Sequence, residues 1–162
     1  MIPEIVIGLA GLAVYTTLAH VVDYRILKTK HLKSKKWDLN ISCGDTDGGG
    51  VNADINERDV PNFVLIKDIY NLPFKNKQFE STFCSHTIEH VDDPVKFYEE
   101  LRRVSKNLTI LVPPVWDLAA VGYVMGHKWQ FKTLKTRHDN ELPEHIKLPY
   151  DWYHDRFGQE TK

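Results

Sequence analysis

The stretch from Leu65 to Lys106, LIKDIYNLPFKNKQFESTFCSHTIEHVDDPVKFYEELRRVSK, decides the fold. Its middle, Phe79 to Ser85, is a short run of apolar and β-favouring residues that reads as a buried strand. Asp93 and Pro94 then supply an N-cap and a first helical residue for VKFYEELRRVSK. Phe97, Leu101 and Val104 recur at helical spacing and predict the face turned to a sheet, while Glu99 and Glu100 stand at pairing distance from Arg103 on an exposed face. Leu108 to Val112 reads as the next strand, stopped by Pro113 and Pro114. Strand, helix and strand in this order predict a right-handed crossover between parallel neighbours.

Working upstream, Asp38 to Cys43 (DLNISC) reads as a first strand opening into the loop GDTDGGG, Val51 to Ile55 as a second strand and Phe63 to Ile66 as a third. Short apolar runs broken by turn residues, with one clear helix and no internal repeat, define an α/β chain. Its 162 residues suit one domain with an appendage, and an apolar share of 42% is enough for a packed core. A net charge of −1 speaks against a nucleic-acid coat, which needs a basic excess to displace counterions, so no nucleic-acid partner is expected. Cys43 and Cys84 lack metal-ligand spacing and read as free, buried thiols at the ends of neighbouring strands.

From Ile5 to Val22 the chain is almost uninterruptedly apolar, IVIGLAGLAVYTTLAHVV. At 1.5 Å per residue this run reaches roughly 27 Å, about the thickness of a hydrocarbon core. Arg25, Lys28, Lys30, Lys33, Lys35 and Lys36 follow it, whereas only Glu4 and the terminal amine precede it. The asymmetry predicts a single membrane pass with the N-terminus outside and the bulk of the chain cytoplasmic. A cleaved signal would carry its positive charges before the run and a small-x-small site after it, and neither is present. The expected division is an anchor helix over 1–27, a basic juxtamembrane linker over 28–36 and a domain over 37–162. Membrane lipid is the expected partner, with a membrane-protein neighbour or an oligomer as a further one. Thr16, Thr17 and His20 favour the competing reading, a helix packed on its own chain or on a partner.

DLNISCG (38–44), GVNADIN (50–56), the 65–106 block and LTILVPP (108–114) resemble the type 11 methyltransferases, in order and with compatible spacing, over roughly residues 38–116. The D-x-x-x-L-P-F run leading through a strand into S-H-x-x-E-H and D-P is the most specific part. The resemblance implies a class I, S-adenosylmethionine-dependent fold: a reduced Rossmann-like sheet, mostly parallel, with the ligand beyond the carboxyl ends of the strands. It places Asn40, Ser42 and Gly44 in the cofactor loop, Asp54 against ribose hydroxyls, Asp68 and Ile69 against adenine, and Ser85 beside the sulfonium. Each aspartate also reads as an ordinary turn residue. Asn40, Ser42, Gly44 and Thr46 stand where the family carries acidic-x-Gly-x-Gly-x-Gly, and the few residues between Gly44 and Asp54 leave no room for a full helix. Only 48 residues follow Pro114, so the usual last hairpin is expected to be truncated or rebuilt. Trp116 to Met125 reads as a helix. HKWQFKTLKTRH (127–138) reads as an exposed basic and aromatic segment, its His127, Trp129 and Phe131 forming a lid or membrane-proximal face; alternatively Trp116, Trp129 and Trp152 patch a bare sheet edge.

These implications converge on a membrane-anchored methyltransferase with a lipid-like or membrane-associated acceptor, His86 as proton acceptor and Glu89 as a weaker one. The alternative is a catalytically inactive methyltransferase-like subunit serving as an interaction module in a membrane assembly. His86-Thr-Ile-Glu-His90 also satisfies H-x-x-E-H, but a strand runs straight into it and Asp92-Asp93-Pro94 restarts the chain, so the long helix of a zinc peptidase cannot form and no metal site is expected.

Overall fold

The computed structural model describes residues 2–121, 126–149 and 156. Six strands, β1 (Trp37–Ile41), β2 (Gly49–Asp54), β3 (Phe63–Leu65), β4 (Phe79–Ser85), β5 (Ser105–Leu111) and β7 (Arg137–Asp139), form one sheet in the order β3-β2-β1-β4-β5-β7. All pairings are parallel except β5 with β7. Short β6 (Trp129–Phe131) and β8 (His145–Lys147) pair separately. The mostly parallel Rossmann-like sheet is as expected, and among the described residues the rebuilt C-terminal part contributes one antiparallel edge strand plus this ribbon.

The expected crossover is present. Helix α3 (Pro94–Val104) joins β4 to β5, with the Asp93 carboxylate accepting from the Lys96 N–H at 2.9 Å. Its Phe97, Leu101 and Val104 are fully buried against Leu39, Ile41, Cys84, Leu108 and Ile110. Between β1 and β2 there is no helix, only a glycine loop. Gly50, the second residue of β2, has no room for a side chain, since a Cβ would stand 2.5 Å from the Trp37 carbonyl oxygen.

The N-terminal helix departs from the simple anchor. It runs on as α1 (Ile2–His20), a π-helical stretch over Val21–Leu27 and α2 (Lys28–Leu32), so residues 28–32 of the expected basic linker are helical, with Leu32 buried. Leu32 joins Trp37, Phe83 and Leu111 on the second face of the sheet, and the Trp37 indole N–H donates to the Leu32 carbonyl at 2.9 Å. A parallel sheet needs both faces covered, and this helix supplies part of the second cover. Asp23 is fully buried and accepts from Thr136 Oγ1 at 2.7 Å. His20 Nδ1 lies 2.9 Å from Asp117 Oδ2, and the Tyr15 hydroxyl donates to the Trp116 carbonyl. Further out the helix is bare, with Ile7 70% and Leu9 63% exposed.

The segment 127–138, expected to be exposed, is largely inside. His127, Gln130, Phe131, Thr136 and His138 are buried, Phe131 within the main core, and the Trp129 indole donates to the Val91 carbonyl at 2.8 Å. With no long hairpin to cover the core's end, these side chains fill it. The helix expected over 116–125 is observed as α4 (Leu118–Val121), capped by Asp117 accepting from the Ala119 N–H. Residues 122–125 and Trp152 lie outside the described residues.

Candidate cofactor cleft and an adjoining histidine pocket

A cleft of about 830 Å³ opens at the carboxyl ends of β1, β2 and β4, where the strand order of a parallel sheet reverses. Ser42, Gly44, Asp54, Ile69, Ser85 and His86 line it, which brings together six of the residues expected there. The β1 loop holds them through its backbone. Ser42 and Gly44 have φ of 53° and 52°, both in the left-handed region that favours glycine. The Gly44 N–H donates to Asp54 Oδ2 at 2.9 Å and the Asn56 N–H to Oδ1 at 3.0 Å, which fixes the carboxylate at the floor. His86 also has a positive φ, 50°.

Three expected residues lie elsewhere. Asn40 is buried beneath the loop, donating to the Thr46 carbonyl at 3.0 Å and to Asn52 Oδ1 at 3.2 Å, so it shapes the loop rather than facing the cleft. Asp68 is exposed and accepts from the Tyr70 N–H at 2.8 Å in a turn, while Ile69 alone of that pair faces the cleft. Glu89 lies behind, in a second cavity of about 150 Å³ whose wall shares Tyr24 and His86 with the cleft.

The histidine that joins the two spaces is held between acids. His86 Nε2 is 3.9 Å from Asp23 Oδ2 and its Nδ1 is 3.6 Å from Glu89 Oε1, and its ring packs on Tyr24. Both cysteines are free and buried, as expected. Burial, with Asp54 adding to it, pushes the Cys43 thiol up to about 11, and burial pushes Cys84 up to about 12.

The sequence reading missed the fourth wall. Tyr24, Arg25, Lys28 and Thr29 come from the N-terminal helix. A lone Asp23 in an apolar run was the available signal, since a buried carboxylate there calls for polar partners in the fold. His127, expected in a lid or membrane-proximal face, is instead buried beside Glu89 and His90, which are distant in sequence.

Residues 28–112, more than half of the chain, match the family model described as a methyltransferase domain, and the chain belongs to that family. No curated protein sequence matches it. Similar solved structures include a Haloferax volcanii methyltransferase complex with the activator Trm112 (17% identity, 60% of this chain and 59% of that chain, TM-score 0.43). An S-adenosylmethionine-dependent methyltransferase from Aquifex aeolicus is similar at 20% identity over 57% of this chain and 66% of that one, TM-score 0.40. One from Thermotoga maritima is similar at 16% over 74% and 65%, TM-score 0.46. The chain spans about three fifths to two thirds of the length of these proteins.

Membership implies S-adenosylmethionine as cofactor, and the cleft fits it. A Cβ on Gly44 would meet no atom within 4 Å, so backbone lies open to a ligand. Ser85 Oγ is buried without a hydrogen-bond partner, an orphan that a polar ligand atom would satisfy. Ile55 and Ile69 give an apolar wall.

Proposed function

We propose that this chain is an S-adenosylmethionine-dependent methyltransferase working at a membrane, on a lipid-like or membrane-associated acceptor. The observation that carries this reading is the continuity of one helix: its Tyr24, Arg25, Lys28 and Thr29 wall the cleft, while Ile5, Val6, Ile7, Leu9, Leu12 and Val14 stand bare beyond the domain. Glu4–Leu32 is long and apolar enough to cross a membrane. The basic residues from Arg25 onward favour a cytoplasmic domain with the N-terminus outside. The stretch from Ile5 to Leu18 spans only about 21 Å, short of a core of about 30 Å. The outer faces of Val21, Val22 and Ile26, all exposed, therefore continue the lipid-facing side while the inner side carries the domain. The cleft mouth then lies at the interface, where an acceptor embedded in lipid, or held by a neighbouring membrane protein, reaches it.

The cofactor supplies a methyl group on a sulfonium, which already carries a good leaving group. The chain's own contribution is positioning and exclusion of water. Ser42 to Gly44 and Asp54 hold the donor, Ser85 offers its free hydroxyl, and His86 accepts the acceptor's proton where one must leave. A proton taken there lies between Asp23 and Glu89. Calorimetric titration of the full-length chain in detergent is expected to show micromolar binding of S-adenosylmethionine, lost in Asp54→Ala. The inactive-subunit reading draws on the missing helix between β1 and β2, which takes a helix N-terminus away from the cleft. Absence of binding heat in the wild type would decide for it.

A further inference from the structure

The second cavity carries a cluster of buried groups, of which only His86 and Glu89 have been given a part in methyl transfer. One ligand atom each from Glu89, His90 and His127 lies within 4.8 Å of the other two, and all three side chains are buried. Glu89 is fully buried with neither Oε1 nor Oε2 within hydrogen-bond distance of a partner, His86 Nδ1 standing just beyond it at 3.6 Å from Oε1. A buried carboxylate costs several kcal/mol unless a positive charge faces it. The two imidazoles stand edge to face at 4.6 Å between centroids.

We propose that Glu89, His90 and His127 form a binding site for a divalent transition-metal ion, zinc first among them. Two imidazoles with one carboxylate suit zinc or a similar ion, whereas magnesium and calcium prefer oxygen ligands alone. Tetrahedral ligands about 2.1 Å from zinc stand roughly 3.4 Å apart, so the three groups need to close by little more than about 1 Å. The cavity of about 150 Å³ that these groups line leaves room for water beside an ion. His86 stays outside the set, directed towards Asp23, so the site is not the paired-histidine helix that H-x-x-E-H describes elsewhere.

The test uses the full-length chain in detergent, stripped with a chelator and titrated with Zn²⁺, or with Co²⁺ as a visible probe. One equivalent is expected to bind and to raise the melting temperature, with cobalt showing ligand-field bands of a nitrogen–oxygen site. Glu89→Gln, which is nearly isosteric, and His127→Gln are each expected to weaken binding more than about 100-fold, while His31→Gln leaves it unchanged. Should His127→Gln fail to fold, Glu89→Gln decides. Lack of stoichiometric binding by the wild type, the behaviour of a cavity holding only water, overturns the proposal, as does unchanged affinity in Glu89→Gln. The outcome is independent of S-adenosylmethionine binding, which is measured separately on the same protein.

Discussion

Ser42 stands where the type 11 methyltransferases carry glycine, yet its φ of 53° is a glycine's conformation. Holding a non-glycine residue there costs about 1–2 kcal/mol, and the extra freedom of glycine in the unfolded chain returns up to about 1 kcal/mol of that. Ser42→Gly is therefore expected to stabilise the protein by up to about 1 kcal/mol in chemical denaturation, and Gly44→Ala to destabilise it by a similar amount. A loss on Ser42→Gly would mean the hydroxyl has a partner that outweighs the backbone. Asn40 makes the opposite point. Its amide ties Thr46 to Asn52 inside the fold, so Asn40→Ala should cost about 1–3 kcal/mol of stability. At the cysteines the raised thiols argue for inertness. Mass spectrometry after iodoacetamide treatment at pH 8 should find Cys43 and Cys84 unmodified in the native chain and labelled once it is denatured.

At the scale of elements, α3 does more than close the crossover. Glu100 and Arg103 form a two-point fork at 2.7 Å, and both reach back to the L-P-F loop, Glu100 accepting from the Leu72 N–H and Arg103 donating to the Leu72 and Phe74 carbonyls. The exposed face expected of this pair is thus a tether for the loop over the core. Burial raises the Glu100 carboxyl, but Arg103 and the Leu72 N–H more than offset it, leaving it below its ordinary value. A depressed carboxylate stabilises the fold above its unfolded value of about 4.5 and loses that contribution as pH falls through the folded one. Glu100→Gln should accordingly flatten the acid limb of the stability profile below about pH 4.5, and an unchanged limb would remove the tether from the account. The N-terminal helix divides at Tyr15. A chain beginning there keeps His20, Asp23, Tyr24 and Leu32 in place and should fold without detergent. One beginning at Lys33 loses Leu32 from the Trp37 cluster and the Asp23–Thr136 bond, and should aggregate or melt well below the longer form. Equal melting temperatures would show the helix to be an appendage after all.

For the whole molecule, the N-terminal helix and the fold are one structure. The strands, α3 and the block from Leu65 to Lys106 were legible because each rests on local signals: apolar runs, a cap, a proline, helical spacing. Gly44, Asp54, Ser85 and His86 reach the cleft because they end strands or follow them closely, and strand ends fix where a cleft lies, while Ile69 reaches it from the turn after β3. Asp68 and Asn40 were misplaced because a turn and a buried amide look alike in sequence to ligand-facing groups. Helix α1 is apolar all round, so no periodicity showed which side a domain would take. What the sequence by itself determined, then, is the parallel sheet with its crossover helix and the presence of an apolar helix before it. The tertiary structure alone decided that this helix walls the cleft, that Asp23 is buried against Thr136, and that His127 meets Glu89 and His90. Those encounters join residues far apart in the chain, and only closure of the sheet over its N-terminal helix brings their side chains into one dehydrated space.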